Sequence, residues 1–190
     1  SFVEEGKVKQ IGFSEISPNS LVAASEIHPV AAVQSEYSLS TRYPELGLVQ
    51  RCKELETSLV AFSPVGRSLL TDRPHTPKKA KTIAFLQQNP RFLSPNLEKN
   101  IKATEKFRSL ASDLDVTAAG LALAWLLKKD KHILPIPGTR SVEHLRTMVD
   151  GSQLTLTQSD LSAIESVLPL GWAFGDRYSV KQWVGPEKYC

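Results

Sequence analysis

Long apolar runs are absent. No stretch of the 190 residues approaches the ~18 that a membrane-spanning helix needs, so no transmembrane span and no membrane partner are expected. Cysteine is scarce: Cys52 and Cys190 lie far apart, with no CxxC spacing to hold a metal, and reduced thiols in a cytoplasmic protein are the expectation. Gly (10) and Pro (12) are too few for collagen-like repetition or low complexity. An excess of one charge is missing too, since 23 Lys and Arg face 20 Asp and Glu for a net +3. The one basic cluster, Lys78, Lys79 and Lys81, has no interleaved aromatics, so it reads as a solvated loop and no nucleic-acid partner is expected. The only Met stands at position 148 and residue 1 is Ser, from which the chain is expected to be a processed, excised or incompletely represented piece of a longer one.

What is present is a globular make-up, 41% hydrophobic and 23% charged, enough for about one domain spanning 1–190. Residues 7–14 (KVKQIGFS) predict a strand, and Ser17-Pro18 opens a helix to about His28. A second strand is read at 31–36 and a helix at 47–55, where Leu48, Val49, Cys52 and Leu55 share a face. The third strand is 58–62. The Pro-rich segment 63–96 predicts a long functional loop. Helical periodicity covers 97–114 and, capped by Thr117, continues to about Lys129; a fourth strand is expected at 132–136. Helices follow from Ser141 to about Val149 and from a capping-box-like Thr157 and Asp160 to Leu168, and the tail 171–190 has no period.

Strands alternating with helices predict an α/β fold with a parallel sheet and right-handed crossovers, and nearly all-apolar strands predict that both sheet faces are covered. Four such units fit a small doubly wound sheet or half of an eight-stranded barrel. In either architecture ligands collect at the carboxyl ends of the strands. Those ends hold Ser14 and Glu15, then Gln34 and Glu36, then Ser63 with 64–67, then Gly138, Thr139 and Arg140. Free backbone N–H groups, a hydroxyl and a guanidinium at 138–140 suit a phosphate; alternatively Gly138 only breaks the strand and Ser141 only caps a helix. GxGxxG and Walker-type loops are absent, so a nucleotide site would be built differently.

The segments GKVKQIGFSEIS, AAVQSEYSL, LVAFSPVGRSLLT, PRFLSPNLEKN and LPIPGTRSVEHLRTMV, in this order over nearly the whole chain, resemble the second half of an aldo-keto reductase. The resemblance implies strands five to eight of a TIM (βα)8 barrel, with the N-terminal half of the barrel absent from the chain. It also implies NADP bound in extended form without a Rossmann domain. Ser14 and Gln34 resemble the residues that hold the nicotinamide carboxamide, and Phe62 stands where an aromatic ring stacks on the nicotinamide. Ser63, Val65, Gly66, Arg67 and Leu69 resemble the loop along the pyrophosphate; Gly138, Thr139 and Arg140 resemble the loop at the adenosine 2′-phosphate, and His144 stands where another basic residue is common.

Three departures accompany the match. Glu15 replaces the usual Asn, as a variant expected to be tolerated, and Thr147-Met148 replaces a Glu-Asn pair at the adenine. Met148 then either packs on the adenine face or belongs to the helix core. The catalytic Asp, Tyr, Lys and His of the family belong to the first half of the barrel, so none is assigned here; Tyr37, Tyr43, Tyr178 and Tyr189 fall in loops or the tail, outside any matching motif. His28, His75 and His132 read as structural or solvated, and Trp125 with Leu121, Leu123 and Leu126 as helix core. Trp172 and Trp183 either line the substrate opening or pack over the barrel. The implied activity is NADP-dependent reduction of an aldehyde or ketone, with this chain supplying the cofactor half. A non-catalytic half-barrel that binds dinucleotide, or self-associates through its open edges, is the alternative.

Overall fold

The computed structural model describes residues 1–188 and 190. Its elements are β1 (Ile11–Ser14), α1 (Pro18–Ile27), β2 (Val30–Glu36), α2 (Leu48–Glu54), β3 (Ser58–Phe62), α3 (Asn96–Ala103), α4 (Glu105–Asp113), α5 (Ala118–Lys129), β4 (Ile133–Ile136), α6 (Val142–Ser152) and α7 (Gln158–Val167). The four strands form one sheet in the order β1-β2-β3-β4, every pair parallel. Four helices start on the hydroxyl caps that the sequence offers: Ser17, Thr117, Ser141 and Thr157, the last in a full capping box with Asp160.

Some boundaries move for identifiable reasons. β1 starts at Ile11 rather than at residue 7, because the chain before it folds back through Gly6, in the left-handed region at φ 67, and the Val8 N–H goes to the Phe2 carbonyl. The helix expected over 97–114 is two helices. Thr104 lies between them and its hydroxyl donates to the carbonyls of Asn100 (3.1 Å) and Ile101 (3.0 Å), drawing off acceptors that a continuous helix would use. Segment 63–96 carries only short helical turns, each of two of them opened by a proline, but Leu69, Ala80, Leu86 and Phe92 bury against Leu97 and give it a core of its own.

The expectation of a sheet covered on both faces does not hold. Val33, Leu59 and Ile133 share one register row and are buried under the helices, against residues that include Leu121 and Trp125. The opposite row, Gln34, Val60 and Leu134, and the next, Glu36, Phe62 and Ile136, lie on the other face; Leu134 is 51% and Ile136 46% exposed. Apolar strands therefore mark a face that these helices leave open.

Helices α5 and α6 cross at backbone contact. A Cβ built on Gly151 would stand 2.2 Å from the Cα of Gly120, so only glycine fits at the crossing. This crossing fixes α6, and the loop that leads into it from β4, against the sheet.

Candidate functional site at the carboxyl ends of the strands

Ser14 and Gln34 are register partners on β1 and β2, both exposed, and the Glu15 N–H donates to the Gln34 carbonyl at 2.8 Å. Phe62, half-buried, ends β3 opposite Glu36 and Ile136. The chain then turns sharply: Ser63, Gly66, Arg67 and Ser68 all hold positive φ, between 50 and 90°. Val65, at φ −101 and ψ 22, is followed by left-handed Gly66, the right-handed then left-handed succession that turns neighbouring backbone amides toward one side as in an anion nest. The Gly66 and Leu69 N–H groups are spent inside the turn, on Ser63 and Gly66 carbonyls. Leu69 is fully buried in the small core under the loop, so its side chain faces that core. Val65 packs on Met148, Ala119 and Leu123, which ties this turn to α5 and α6.

Beyond β4, Gly138, Thr139, Arg140 and His144 are all exposed. Thr139 Oγ1 accepts from the Ser141 N–H at 3.1 Å and Ser141 Oγ caps the His144 N–H, so the loop is shaped before any ligand arrives. Gly138 ends the strand and Ser141 caps the helix, and the same geometry leaves the Arg140 side chain in solvent. Met148 is buried in the helix core, which decides between the two roles open to it.

The tail fills a large part of this end of the sheet. Arg177 is fully buried, and its Nη2 lies 3.0 Å from Glu15 Oε1 and 3.1 Å from Cys190 Sγ. Tyr178 hydroxyl donates to the Glu15 carboxylate at 3.3 Å. Burial raises the Glu15 pKa above the ordinary carboxylate value, with the Arg177 charge opposing, and pushes the Tyr178 phenol up to about 12. Glu15 is thus the anchor for the tail rather than only a tolerated variant. Glu187 donates its N–H to the Glu15 carbonyl, and its carboxylate accepts from the Ser17 N–H and Ser20 Oγ at 2.8 Å each, which holds it below the usual carboxylate range. Trp183 and Tyr43 line a cavity of about 490 Å³ with Asp176, Val180, Pro186 and Lys188. Trp172 packs on the main core and donates to the Leu39 carbonyl, so of the two tail tryptophans only Trp183 borders this opening.

Other sequence readings fall into place around the site. Cys52 and Cys190 are buried thiols, Trp125 is core, and His132 sits on Asp130 at 2.7 Å. Tyr37 is buried and donates to Glu45, while Tyr189 lies outside the described residues. Among the described residues no group of His, Cys, Asp and Glu is arranged to hold a metal ion, and no single helix is long and apolar enough to cross a membrane. Sequence reasoning left out Asn89, Arg91, Asn100 and Arg177. The first three sit in or beside the motif PRFLSPNLEKN, whose density of buried-capable amides was the available signal; Arg177 carried none.

The family model described as "Aldo/keto reductase family" matches residues 1–169. "Probable aldo-keto reductase 1" of Glycine max is 40% identical over 176 residues, 93% of this chain and 51% of that protein. The Schizosaccharomyces pombe aldo-keto reductase yakc, whose name carries NADP(+), is 34% identical over 179 residues, 93% of this chain and 53% of that one. Among solved structures, the thermostable aldo-keto reductase Tm1743 with the inhibitor epalrestat aligns at TM-score 0.64 and 25% identity, over 87% of this chain and 51% of that one. The glycerol dehydrogenase AKR11B4 from Gluconobacter oxydans aligns at TM-score 0.73 and 23% identity, over 88% and 51%. The chain spans about half the length of the curated relatives it matches.

Proposed function

This chain belongs to the aldo/keto reductase family, and from that premise we propose that it forms one domain, strands five to eight of a (βα)8 barrel, and supplies the NADP-binding half of a carbonyl reductase. The observation that carries the reading is the line of polar and cationic groups along the strand ends: Ser14 and Gln34 side by side, the ring of Phe62, the left-handed turn with Arg67, then Arg140. These residues fit the cofactor. Ser14 and Gln34 offer a hydroxyl and an amide to a carboxamide, Phe62 a ring face, the turn after β3 amides and a guanidinium to a diphosphate, and Arg140 a cation to the 2′-phosphate, with His144 beside it. When bound, NADPH supplies a hydride for an aldehyde or ketone carbonyl. In this reading Phe62 fixes which nicotinamide face is presented, the loop 63–96 and the tail 171–190 close the opening and exclude water, and the proton donor comes from strands outside this chain.

Calorimetric titration with NADP+ tests it. Arg140→Ala should weaken NADP+ binding by about 10-fold or more, the worth of one charge-assisted contact to phosphate, and leave NAD+ binding nearly unchanged. Equal NADP+ affinity in wild type and variant rejects the phosphate site.

The exposed apolar residues Leu134 and Ile136, on the face that helices leave open, favour a second reading in which the chain pairs with a copy of itself over that face and its edges. Light scattering should then give twice 21.0 kDa. A well-behaved species at 21.0 kDa rejects the pairing.

A further inference from the structure

Glu36 is buried at the carboxyl end of β2, 2% exposed, where water cannot solvate its charge. Its Oε2 accepts from Arg67 Nη2 at 2.6 Å, and its Oε1 accepts from Thr41 Oγ1 at 3.0 Å. Arg91 Nη1 stands 3.9 Å from Oε1 and donates to Thr41 Oγ1 at 2.6 Å, so a hydroxyl sits between that second cation and the carboxylate. The direct ion pair is spent on Arg67.

Arg67 differs from its partner in two ways. Its side chain keeps 20% of its surface in solvent, and its single side-chain hydrogen bond among the described residues is the one to Glu36. A guanidinium has five N–H donors, so one face of the fork is committed and the rest is open to a second anion. The rings of Phe85, 4.3 Å from the guanidinium carbon, and of Tyr178 at 5.8 Å and Phe62 at 6.0 Å, restrict where the group can swing. The backbone beneath it is left-handed, φ 52 and ψ 43, a conformation costly for a residue with a Cβ and retained only where surrounding contacts enforce it.

We propose that Glu36 is a positioning residue that aims Arg67 at the diphosphate of the dinucleotide. This rests on the reading of 63–67 as the diphosphate turn and deepens it. A buried carboxylate beside a phosphate site would repel the ligand if it acted alone. Here one carboxylate faces two guanidiniums, so the trio Glu36, Arg67 and Arg91 carries one positive charge in excess, and the carboxylate sets where that charge stands without cancelling it. A side chain present only to fill space at this position would be apolar, because a buried ion is weak evidence for stability.

The test is a double-mutant cycle on NADP+ affinity, measured by calorimetry on the protein as its gene encodes it, with thermal unfolding as the check on folding. Arg67→Ala should weaken binding about 10-fold, Glu36→Ala should weaken it to a similar extent, and the double variant should lose little more, because removing the aim and removing the group cost the same contact. Glu36→Gln, which keeps the volume and an acceptor for Arg67, should recover most of the loss and stands in where Glu36→Ala does not fold. Losses that add in the double variant, or a Glu36→Ala protein that binds as wild type or tighter, overturn the positioning role; so does a Glu36→Gln variant as weak as Arg67→Ala. An Arg67→Ala protein with unchanged affinity instead removes the diphosphate reading beneath it.

Discussion

Gly151→Ala should destabilise the protein by about 3 kcal/mol, lowering Tm by roughly 6–12 °C for a chain of this size. The sign is not obvious beforehand, since exchanging a helical glycine for alanine gains ~1 kcal/mol in propensity. Packing reverses it. The added methyl would stand 2.2 Å from the Cα and 2.8 Å from the carbonyl carbon of Gly120, and both are backbone atoms of another helix. No rotamer change relieves that contact, so α6 must move off α5. Because the phosphate loop runs directly into α6, NADP+ affinity should fall with stability. A Gly151→Ala protein that unfolds at the wild-type temperature would show that the two helices do not touch there.

Asn100→Ala should release the tail. Asn100 is fully buried; its Nδ2 donates to the carbonyls of Arg91 and Phe174, 3.0 Å each, and its Oδ1 accepts from the Phe174 N–H at 2.7 Å. One side chain thus completes the backbone hydrogen bonding of a tail residue as a neighbouring strand would. Its loss strands three backbone groups at about 1–3 kcal/mol each where they stay buried, so the cheaper response is for residues near 174 to come away into water. Amide exchange across 172–188 should accelerate at least tenfold while β2 and β3 keep wild-type protection. Unchanged exchange in the tail rejects the clamp. Asn89 Nδ2, which donates to the Arg177 carbonyl, and Arg91 Nε, 3.3 Å from the Gly175 carbonyl, are the neighbouring fastenings.

The βα order was legible because each step has a local cause. The hydroxyl caps at Ser17, Thr117, Ser141 and Thr157 start helices, and short apolar runs such as 58–62 make strands. The polar strand ends Ser14, Gln34 and Arg140 were legible for the same reason, since in a parallel sheet the position along a strand tells which end a residue occupies. What stayed hidden was non-local. That Glu15 pairs with Arg177 depends on where a tail without periodicity lands, and nothing between them in sequence fixes that. The burial of the Leu69 side chain was hidden too, because a motif match assigns a position, whereas burial depends on what Ala80, Leu86, Phe92 and Leu97 do later in the chain. The open sheet face was misread because a nearly all-apolar strand reports that both faces avoid water, not which element shields each.

The cap that Glu187 places on α1 also has a mechanical meaning. The Ser17 amide is satisfied by a carboxylate 170 residues further along the sequence. Two segments far apart in sequence therefore share one fastening: the first turn of α1 keeps this acceptor only while the segment around Glu187 stays docked. A defect near Glu187 is thus felt at α1, and fraying of α1 loosens the tail in return.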